Sequence, residues 1–362
     1  MIEKLTFLYM SICLCIIFFN IVFNLYTKMQ PRFLRHKKKV LKNILSKQNE
    51  DVLKEKLLKK LRHVSYLKVF HEILVEKEVS HIPWHVIGEM MSDLADDYRA
   101  QKADKKAYFA YVVYALDLNH NIETNSDQLK KAQAKLSTIL KMFLWEEDSL
   151  YVRENAFRAI MSIGIEEDAI EALKMMEKSI RPNNQKLIQN HLLNFTGNHQ
   201  KLADGLYCNL ETFTWPIQVA IVYYLRMVPK EQVHHEMYQA GLYQLLCEKT
   251  QHEELRLELI HYFNKYYYAP VSRNLVKYVQ DKENWELASV AARALEHYEG
   301  FEEDKALTQA LMSSNWYVRL NAAESLVSKG YTDDQLKERG FDAYDLLTYR
   351  QQFEETRDRE VV

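Results

Sequence analysis

The sequence contains two copies of one helical pattern, and this repetition limits the folds open to the chain more than any other feature. "YVRENAFRAIMSIG" begins at Tyr151 and "YVRLNAAESLVSKG" begins at Tyr317, 166 residues later, which is close to five steps of 33. In the second copy, Val318, Ala322 and Leu326 recur at i, i+4 and i+8. This spacing places them on one face of a helix.

The second copy also carries the signals that start and stop a helix. Ser314 or Asn315 can cap its N-terminus, because a short polar side chain accepts a hydrogen bond from the free backbone N–H groups there. Gly330 stands where a residue in the left-handed conformation ends many helices. We therefore predict a helix between these residues, packed between neighbouring helices.

Weaker copies of the pattern lie between the two strong ones. They begin at Asn184, Trp215, Glu254 and Trp285. When one mid-helix residue is taken as the anchor of each copy, successive anchors are 33, 31, 39, 32 and 31 residues apart. The six anchors are Ala156, Gln189, Ala220, Leu259, Ala291 and Ala322. A period in this range indicates a solenoid of stacked supersecondary units.

The two "YVR-x-NA" helices resemble the second helix of HEAT repeats, the armadillo-like family of paired antiparallel helices. The resemblance covers residues 140–330 well, whereas residues 70–140 are compatible with HEAT-like or tetratricopeptide-like hairpins. It implies a right-handed superhelical α-solenoid. Proteins of this kind are non-catalytic scaffolds far more often than enzymes, so the resemblance implies a protein that binds another protein.

Composition agrees with an all-α fold. The chain of 362 residues has only 8 Gly and 6 Pro, and 48% of its residues are hydrophobic, which suffices for a packed core. No alternating apolar run bounded by turn residues indicates a strand. The four cysteines show neither a disulfide framework nor zinc-ligand spacing, which is compatible with a reducing compartment.

An uncharged run of 22 residues, Leu5 to Tyr26, is long enough to cross a bilayer. A cleaved signal peptide is disfavoured, because no small-x-small site is present and basic residues follow directly. We divide the chain into a transmembrane anchor (1–27), a basic juxtamembrane and capping helical segment (28–68), a HEAT-like solenoid (69–330), and a C-terminal capping helix with a tail (331–362).

Charge predicts the orientation of the anchor. From Lys28 to Lys68 the chain carries 14 Lys and Arg against three Asp and Glu, while the whole chain has a net charge of −2. Because positive flanks stay in the cytoplasm, we expect a single-pass membrane protein whose solenoid is cytoplasmic. We expect lipid headgroups to be bound by the cations at the core of the basic segment, which are Arg35, Lys37, Lys38 and Lys39.

No motif for chemistry is present in the sequence. The patterns GxxxxGK, GxGxxG, GxSxG and CxxC do not occur. The adjacent His234 and His235 point to different faces of a helix, so they do not form a metal site. We therefore expect no enzyme activity, no cofactor and no small-molecule substrate.

Four tyrosines and three arginines are the candidates for interaction. Solenoids bind partners on the surface formed by their second helices, and tyrosine suits such interfaces. The candidate partner-binding residues are Tyr223, Arg226, Tyr262, Tyr266 and Tyr267. Arg153 and Arg319 lie near the starts of their helices, where the helix dipole does not favour a cation, so we expect carboxylate partners from a neighbouring element.

Three functions remain open at this stage. The first is a membrane-anchored scaffold or accessory subunit of a membrane-embedded complex; similarity to bacterial membrane-anchored HEAT-repeat proteins suggests a surface-polysaccharide glycosyltransferase system. The second is a HEAT-like lyase or chaperone that acts on a protein client. The third, a HEAT-like DNA glycosylase, is disfavoured because residues 69–362 carry about −13, whereas a duplex-binding groove needs cations. We therefore expect a protein partner and no nucleic acid.

Overall fold

A computed structural model describes residues 2–46, 49–79, 82–121, 127–178, 184–248 and 252–338. These residues form helices joined by short turns and loops, and they contain no strand. The helices are α1 (Ile2–Leu45), α2 (Glu50–Leu61), α3 (Val64–Val75), α4 (Trp84–Arg99), α5 (Ala103–Ala115), α6 (Leu118–Asn121), α7 (Asp127–Glu146), α8 (Leu150–Ile163), α9 (Glu166–Lys178), α10 (Gln185–Leu193), α11 (His199–Cys208), α12 (Trp215–Met227), α13 (Glu236–Cys247), α14 (Glu253–Lys265), α15 (Ser272–Val279), α16 (Trp285–Ala294), α17 (Phe301–Ala310), α18 (Trp316–Ser328) and α19 (Asp333–Glu338).

Helix ends follow local sequence signals. Asn315 caps α18, with its side-chain oxygen accepting a hydrogen bond from the Tyr317 N–H at 2.8 Å. Gly164 and Gly330, with φ of 77° and 92°, follow the two helices that carry the "YVR-x-NA" pattern. Both glycines adopt the left-handed conformation that favours glycine. The helix predicted between Asn315 and Gly330 is therefore confirmed.

The chain forms two compact units, Met1–Met175 and Met176–Val362. In the first unit, α1, α3, α5 and α8 pack side by side in that order, while α2, α4 and α7 form a second row. Hairpins such as α4 with α5 and α7 with α8 join the two rows. The core of this unit lies between them and includes the stacked rings of Tyr98 and Phe109, 4.7 Å apart.

The second unit repeats this arrangement. Helices α10, α12, α14, α16 and α18 pack side by side in that order, and α15 and α17 pack on each other as well as on α16 and α18 respectively. The six repeat anchors proposed from the sequence all fall on alternate helices, from α8 to α18. The sequence period therefore corresponds to one helical hairpin.

The N-terminal helix differs from the others because its first half is not covered. Helix α1 is 44 residues long, continues through Pro31, and is long and apolar enough to cross a membrane. The large apolar side chains described between Phe7 and Phe23 are exposed, whereas Leu41 and Leu45 are buried. One helix thus joins an uncovered apolar segment to the core of the first unit.

Two of the proposed domain boundaries fall inside helices. The boundary at residues 27 and 28 lies within α1, and that at 68 and 69 lies within α3. Helix α1 continues because its last turns pack on α3. The boundary after Gly330 coincides with the end of α18, and α19 follows it. The tail proposed beyond α19, residues 339–362, lies outside the described residues.

Candidate partner-binding surface

Arg226 and Glu258 connect two neighbouring helices of the second unit. Arg226 lies in the last turn of α12, and its Nε donates to Glu258 Oε1 on α14 at 2.6 Å. The Glu258 side chain is only 11% exposed and that of Arg226 is 22% exposed. Burial raises the pKa of Glu258, and the charge of Arg226 opposes this rise. The pair fixes the position of the Arg226 side chain on the surface.

The C-terminal end of α12 is capped by residues from α14 and the turn after it. The Arg226 carbonyl accepts hydrogen bonds from Lys265 Nζ at 2.8 Å and from Tyr266 Oη at 3.2 Å. The last carbonyls of a helix lack partners within it, and such side chains supply them. Burial raises the pKa of Tyr266 to about 12. Tyr266 thus stabilises the end of α12.

The structure corrects the predicted binding surface at Tyr262 and Tyr266. Their exposed fractions are 0% and 3%, so neither ring is available to a partner. Tyr262 Oη donates to the His235 carbonyl at 3.1 Å, and Tyr266 stacks on the His235 ring with centroids 3.9 Å apart. Tyr262 faces the core from within α14, whereas Tyr266 follows the last helical residue with an extended backbone, and its ring is buried against His235.

The remaining candidates lie at the surface around the C-terminal ends of α12 and α14. Tyr267 is 57% exposed, and Met227 is 41% exposed. Tyr223 is half-buried, and the Arg226 guanidinium carbon lies 5.1 Å from its ring centroid. Lys265 is exposed beside them. We name this surface the α12/α14 patch, and it consists of Tyr223, Arg226, Met227, Lys265 and Tyr267.

Arginine and tyrosine suit a partner-binding role in this patch. Both have large, partly apolar side chains, and both are enriched at the energetic centres of protein interfaces. The Arg226 side chain is held by Glu258, and the Tyr267 ring lies 4.9 Å from the ring of Tyr298. Side chains that are fixed before binding lose less conformational entropy when a partner docks.

The two arginines proposed to link repeats have different environments. Arg153 is buried, with 4% exposed. Arg319 is half-buried, and its Nη1 donates to the carbonyls of Ser313 and Ser314 at 2.8 and 3.0 Å. The prediction that Arg319 pairs with a carboxylate is therefore wrong. The side chain folds back over the turn before α18, where free carbonyls are within its reach.

The asparagine of the repeated pattern links neighbouring helices, although it was not among the residues predicted to do so. Asn155 Nδ2 donates to the Ala107 carbonyl of α5 at 3.1 Å. Asn321 Nδ2 donates to the Ser289 carbonyl of α16, also at 3.1 Å. The signal was visible in the sequence, since both asparagines follow the arginine of the pattern by two residues. Equivalent positions thus make equivalent bonds.

The four proposed headgroup-binding residues separate into two pairs. Lys38 Nζ lies 2.6 Å from Glu76 and 3.1 Å from Glu78, and these hydrogen bonds raise its pKa. Lys37 Nζ lies 5.2 Å from the ring centroid of Tyr66. Both lysines therefore hold α1 against residues of α3 and the turn after it. Arg35 and Lys39, in contrast, are exposed.

Among the described residues, no group of three or more His, Cys, Asp or Glu side chains is placed to hold a metal ion.

No protein-family model matches the chain, and no curated protein matches it either. The chain has a distant structural similarity to an engineered protein whose crystal structure was solved by the Northeast Structural Genomics Consortium. The sequence identity is 15%, the TM-score is 0.34, and the similarity covers 86% of this chain and 99% of the other.

Proposed function

We propose that this protein is a membrane-anchored scaffold, or an accessory subunit of a membrane-embedded complex, that binds a protein partner and catalyses no reaction itself. Helix α1 is the anchor, and the stacked hairpins form a HEAT-like, right-handed superhelical α-solenoid. The observation that carries the proposal is the α12/α14 patch, in which the fixed Arg226–Glu258 pair and exposed Met227 mark the end of α12, and exposed Tyr267 follows α14.

The repeat character of the chain supports the solenoid. Asn155 and Asn321 make the same kind of bond to the preceding second helix, although 166 residues separate them. The side-by-side packing of α10, α12, α14, α16 and α18 also suits such an architecture. Each hairpin buries its apolar face against its neighbours, which leaves the outer faces of the second helices for binding.

Anchoring makes a membrane protein the favoured partner. A tethered domain meets a partner in the same membrane at a high effective concentration, so a modest intrinsic affinity suffices. A surface-polysaccharide glycosyltransferase system is the partner class that the resemblance to membrane-anchored HEAT-repeat proteins suggests.

The orientation follows from the charges beside the anchor. The strongly basic segment after Tyr26 favours a cytoplasmic solenoid. A reporter enzyme that is active only outside the cytoplasm, fused after Val362, should therefore be inactive, whereas a reporter active only in the cytoplasm should be active there. The reverse pattern would contradict the orientation and leave the α12/α14 patch untouched.

Co-purification from native membranes tests the function. The full chain is tagged and isolated in mild detergent, and the membrane proteins that accompany it are quantified. We expect the double variant Tyr223→Ala/Tyr267→Ala to lose its partner while retaining its helicity and its membrane location. The matched control is Tyr151→Ala/Phe301→Ala, which removes two aromatic side chains that are 75% and 79% exposed outside the patch. Equal recovery of the partner with both variants would contradict the proposal.

A further inference from the structure

Four cations form a straight stripe on α1 just beyond its apolar segment. Lys28, Arg32, Arg35 and Lys39 are separated by four, three and four residues, which places them on one face of the helix. All four side chains are exposed. Within the described residues, none of them takes part in an ion pair or a hydrogen bond. We call these four residues the basic stripe.

The neighbouring cations of α1 are used differently. Lys38 and Lys42 bind Glu78, at 3.1 and 3.3 Å, and Lys37 lies over the Tyr66 ring. These contacts hold α1 against α3 and the turn that follows it. Stop-transfer charges need no particular helical register, so they do not explain why the remaining four cations share one face.

The packing of α1 turns the stripe away from the first unit. Leu41 and Ile44 are buried, with 0% and 7% exposed, where the last turns of α1 pack on α3. At 100° per residue, these two residues lie on the side of the helix opposite to the basic stripe. The stripe is therefore open from Lys28 to Lys39, and the next cation in the same register, Lys42, is the one that binds Glu78.

The distal end of the stripe extends beyond the range over which lipid headgroups attract a cation. Headgroups add about 5–8 Å to each side of the hydrocarbon core. If the core ends at Tyr26, a rise of 1.5 Å per residue places Arg35 about 14 Å and Lys39 about 20 Å beyond it. Electrostatic attraction is screened over about 8 Å at physiological salt. Lipid thus accounts for Lys28 and Arg32, acts only weakly on Arg35 at about one screening length from the headgroups, and does not account for Lys39.

We propose that the basic stripe binds an acidic segment of a membrane-embedded partner, which runs alongside α1 where it leaves the bilayer. A helix with Asp or Glu every three or four residues has the matching charge and register. The inference rests on the proposed function, since the partner is taken to be a membrane protein. It adds the chemical character of the partner and a second contact, remote in sequence from the α12/α14 patch.

Site-specific photo-crosslinking of the full chain in native membranes tests this contact. A photoreactive amino acid replaces His36, which is exposed beside Arg35, so that all four cations remain. The matched position is Leu34, which is 42% exposed at the same height but faces away from the stripe. From His36 we expect an adduct with a protein segment rich in Asp and Glu, which Leu34 does not give. Adducts with lipid alone, or with a segment that is not acidic, would overturn the inference.

Charge reversal provides the second arm. With the photoreactive residue at His36, Arg35→Glu/Lys39→Glu should reduce the yield of the protein adduct by roughly tenfold, because attraction becomes repulsion. Lys56→Glu/Lys59→Glu, the same change of charge at exposed lysines of α2, should leave the yield nearly unchanged. An equal loss from both variants would mean that only net charge matters and would refute the stripe as a site.

Failure of this inference can be told from failure of the proposed function. If Tyr223→Ala/Tyr267→Ala loses the partner and His36 gives lipid adducts alone, the stripe is refuted as a protein-binding site. The proposed scaffold function then stands. Conversely, His36 could give an adduct with an acidic protein segment while the tyrosine variant still retains its partner. That result refutes the α12/α14 patch as a binding site and supports the stripe.

Discussion

Arg226 Nε donates to Glu258 Oε1 at 2.6 Å, and this ion pair joins the end of α12 to the middle of α14. Both side chains are largely removed from water, with 22% and 11% exposed. A second pair, Arg293 with Glu324, joins α16 to α18 in the same manner. Ion pairs between successive second helices thus accompany the asparagine bonds that link Asn321 to α16.

Arg226→Ala is expected to destabilise the protein by about 2–4 kcal/mol, because it leaves the buried Glu258 carboxylate without its counter-charge. The free energy of unfolding is measured by urea denaturation of the detergent-solubilised chain. The control is Lys305→Ala, which removes an exposed pair with Glu302 and should cost less than about 1 kcal/mol. Equal losses in the two variants would show that Glu258 is effectively solvated.

The division of the tyrosines into structural and exposed ones gives a second expectation. Tyr262→Phe should cost about 1–2 kcal/mol, because the buried His235 carbonyl loses its hydrogen-bond donor. Tyr267→Phe should change stability by less than about 0.5 kcal/mol, since its ring is exposed. Thermal denaturation of the two variants side by side measures the difference. A larger loss for Tyr267→Phe would reverse our assignment of the binding residues.

A third prediction concerns the dependence of stability on pH. Burial lowers the pKa of His235 to about 4, from an ordinary value of 6.5, and the charges of Lys265 and Lys230 act in the same direction. The unfolded chain therefore binds the proton first as the pH falls. The contribution of His235 to stability is complete above pH 6.5 and is lost progressively down to about pH 4, by roughly 3 kcal/mol at 1.36 kcal/mol per pKa unit.

His235→Phe isolates this effect, because phenylalanine keeps a ring against Tyr266 but cannot be protonated. Between pH 6.5 and 4 its unfolding free energy should fall less steeply than that of the natural chain. His234→Gln, which changes the exposed neighbouring histidine, is the matched substitution in the same turn. Parallel slopes for His235→Phe and the natural chain would show that His235 binds its proton equally well in the folded and the unfolded chain.

Much of the fold is local and could be read from the sequence. Three predictions depend only on neighbours along the chain, and the structure confirms them. They are the cap at Asn315, the left-handed glycine at Gly330 and the spacing of the six repeat anchors. The all-helical class follows from the same signals. Helix periodicity identifies which residues share a face, and this information is contained in a short window of sequence.

The contacts between helices could not be read in this way. Periodicity places Tyr262 and Tyr266 on a shared face but does not say whether that face is covered. The pairing of Lys38 with Glu76 and Glu78 joins residues about 40 positions apart and depends on how α1 crosses α3. The continuity of α1 through Pro31 likewise depends on packing beyond the proline. Of the five candidate binding residues, Tyr223, Arg226 and Tyr267 lie at the surface, and the sequence could not separate them from the two that are buried.

The location of the partner on the chain is the central claim, and hydrogen–deuterium exchange tests it most directly. The full-length protein is compared with and without its co-purified membrane partner, and amide protection is mapped by mass spectrometry. We predict that protection increases most in the C-terminal half of α12, in α14 and in the turn that contains Tyr267. Protection confined to α13, α15 and α17, with α12 and α14 unchanged, would contradict the account.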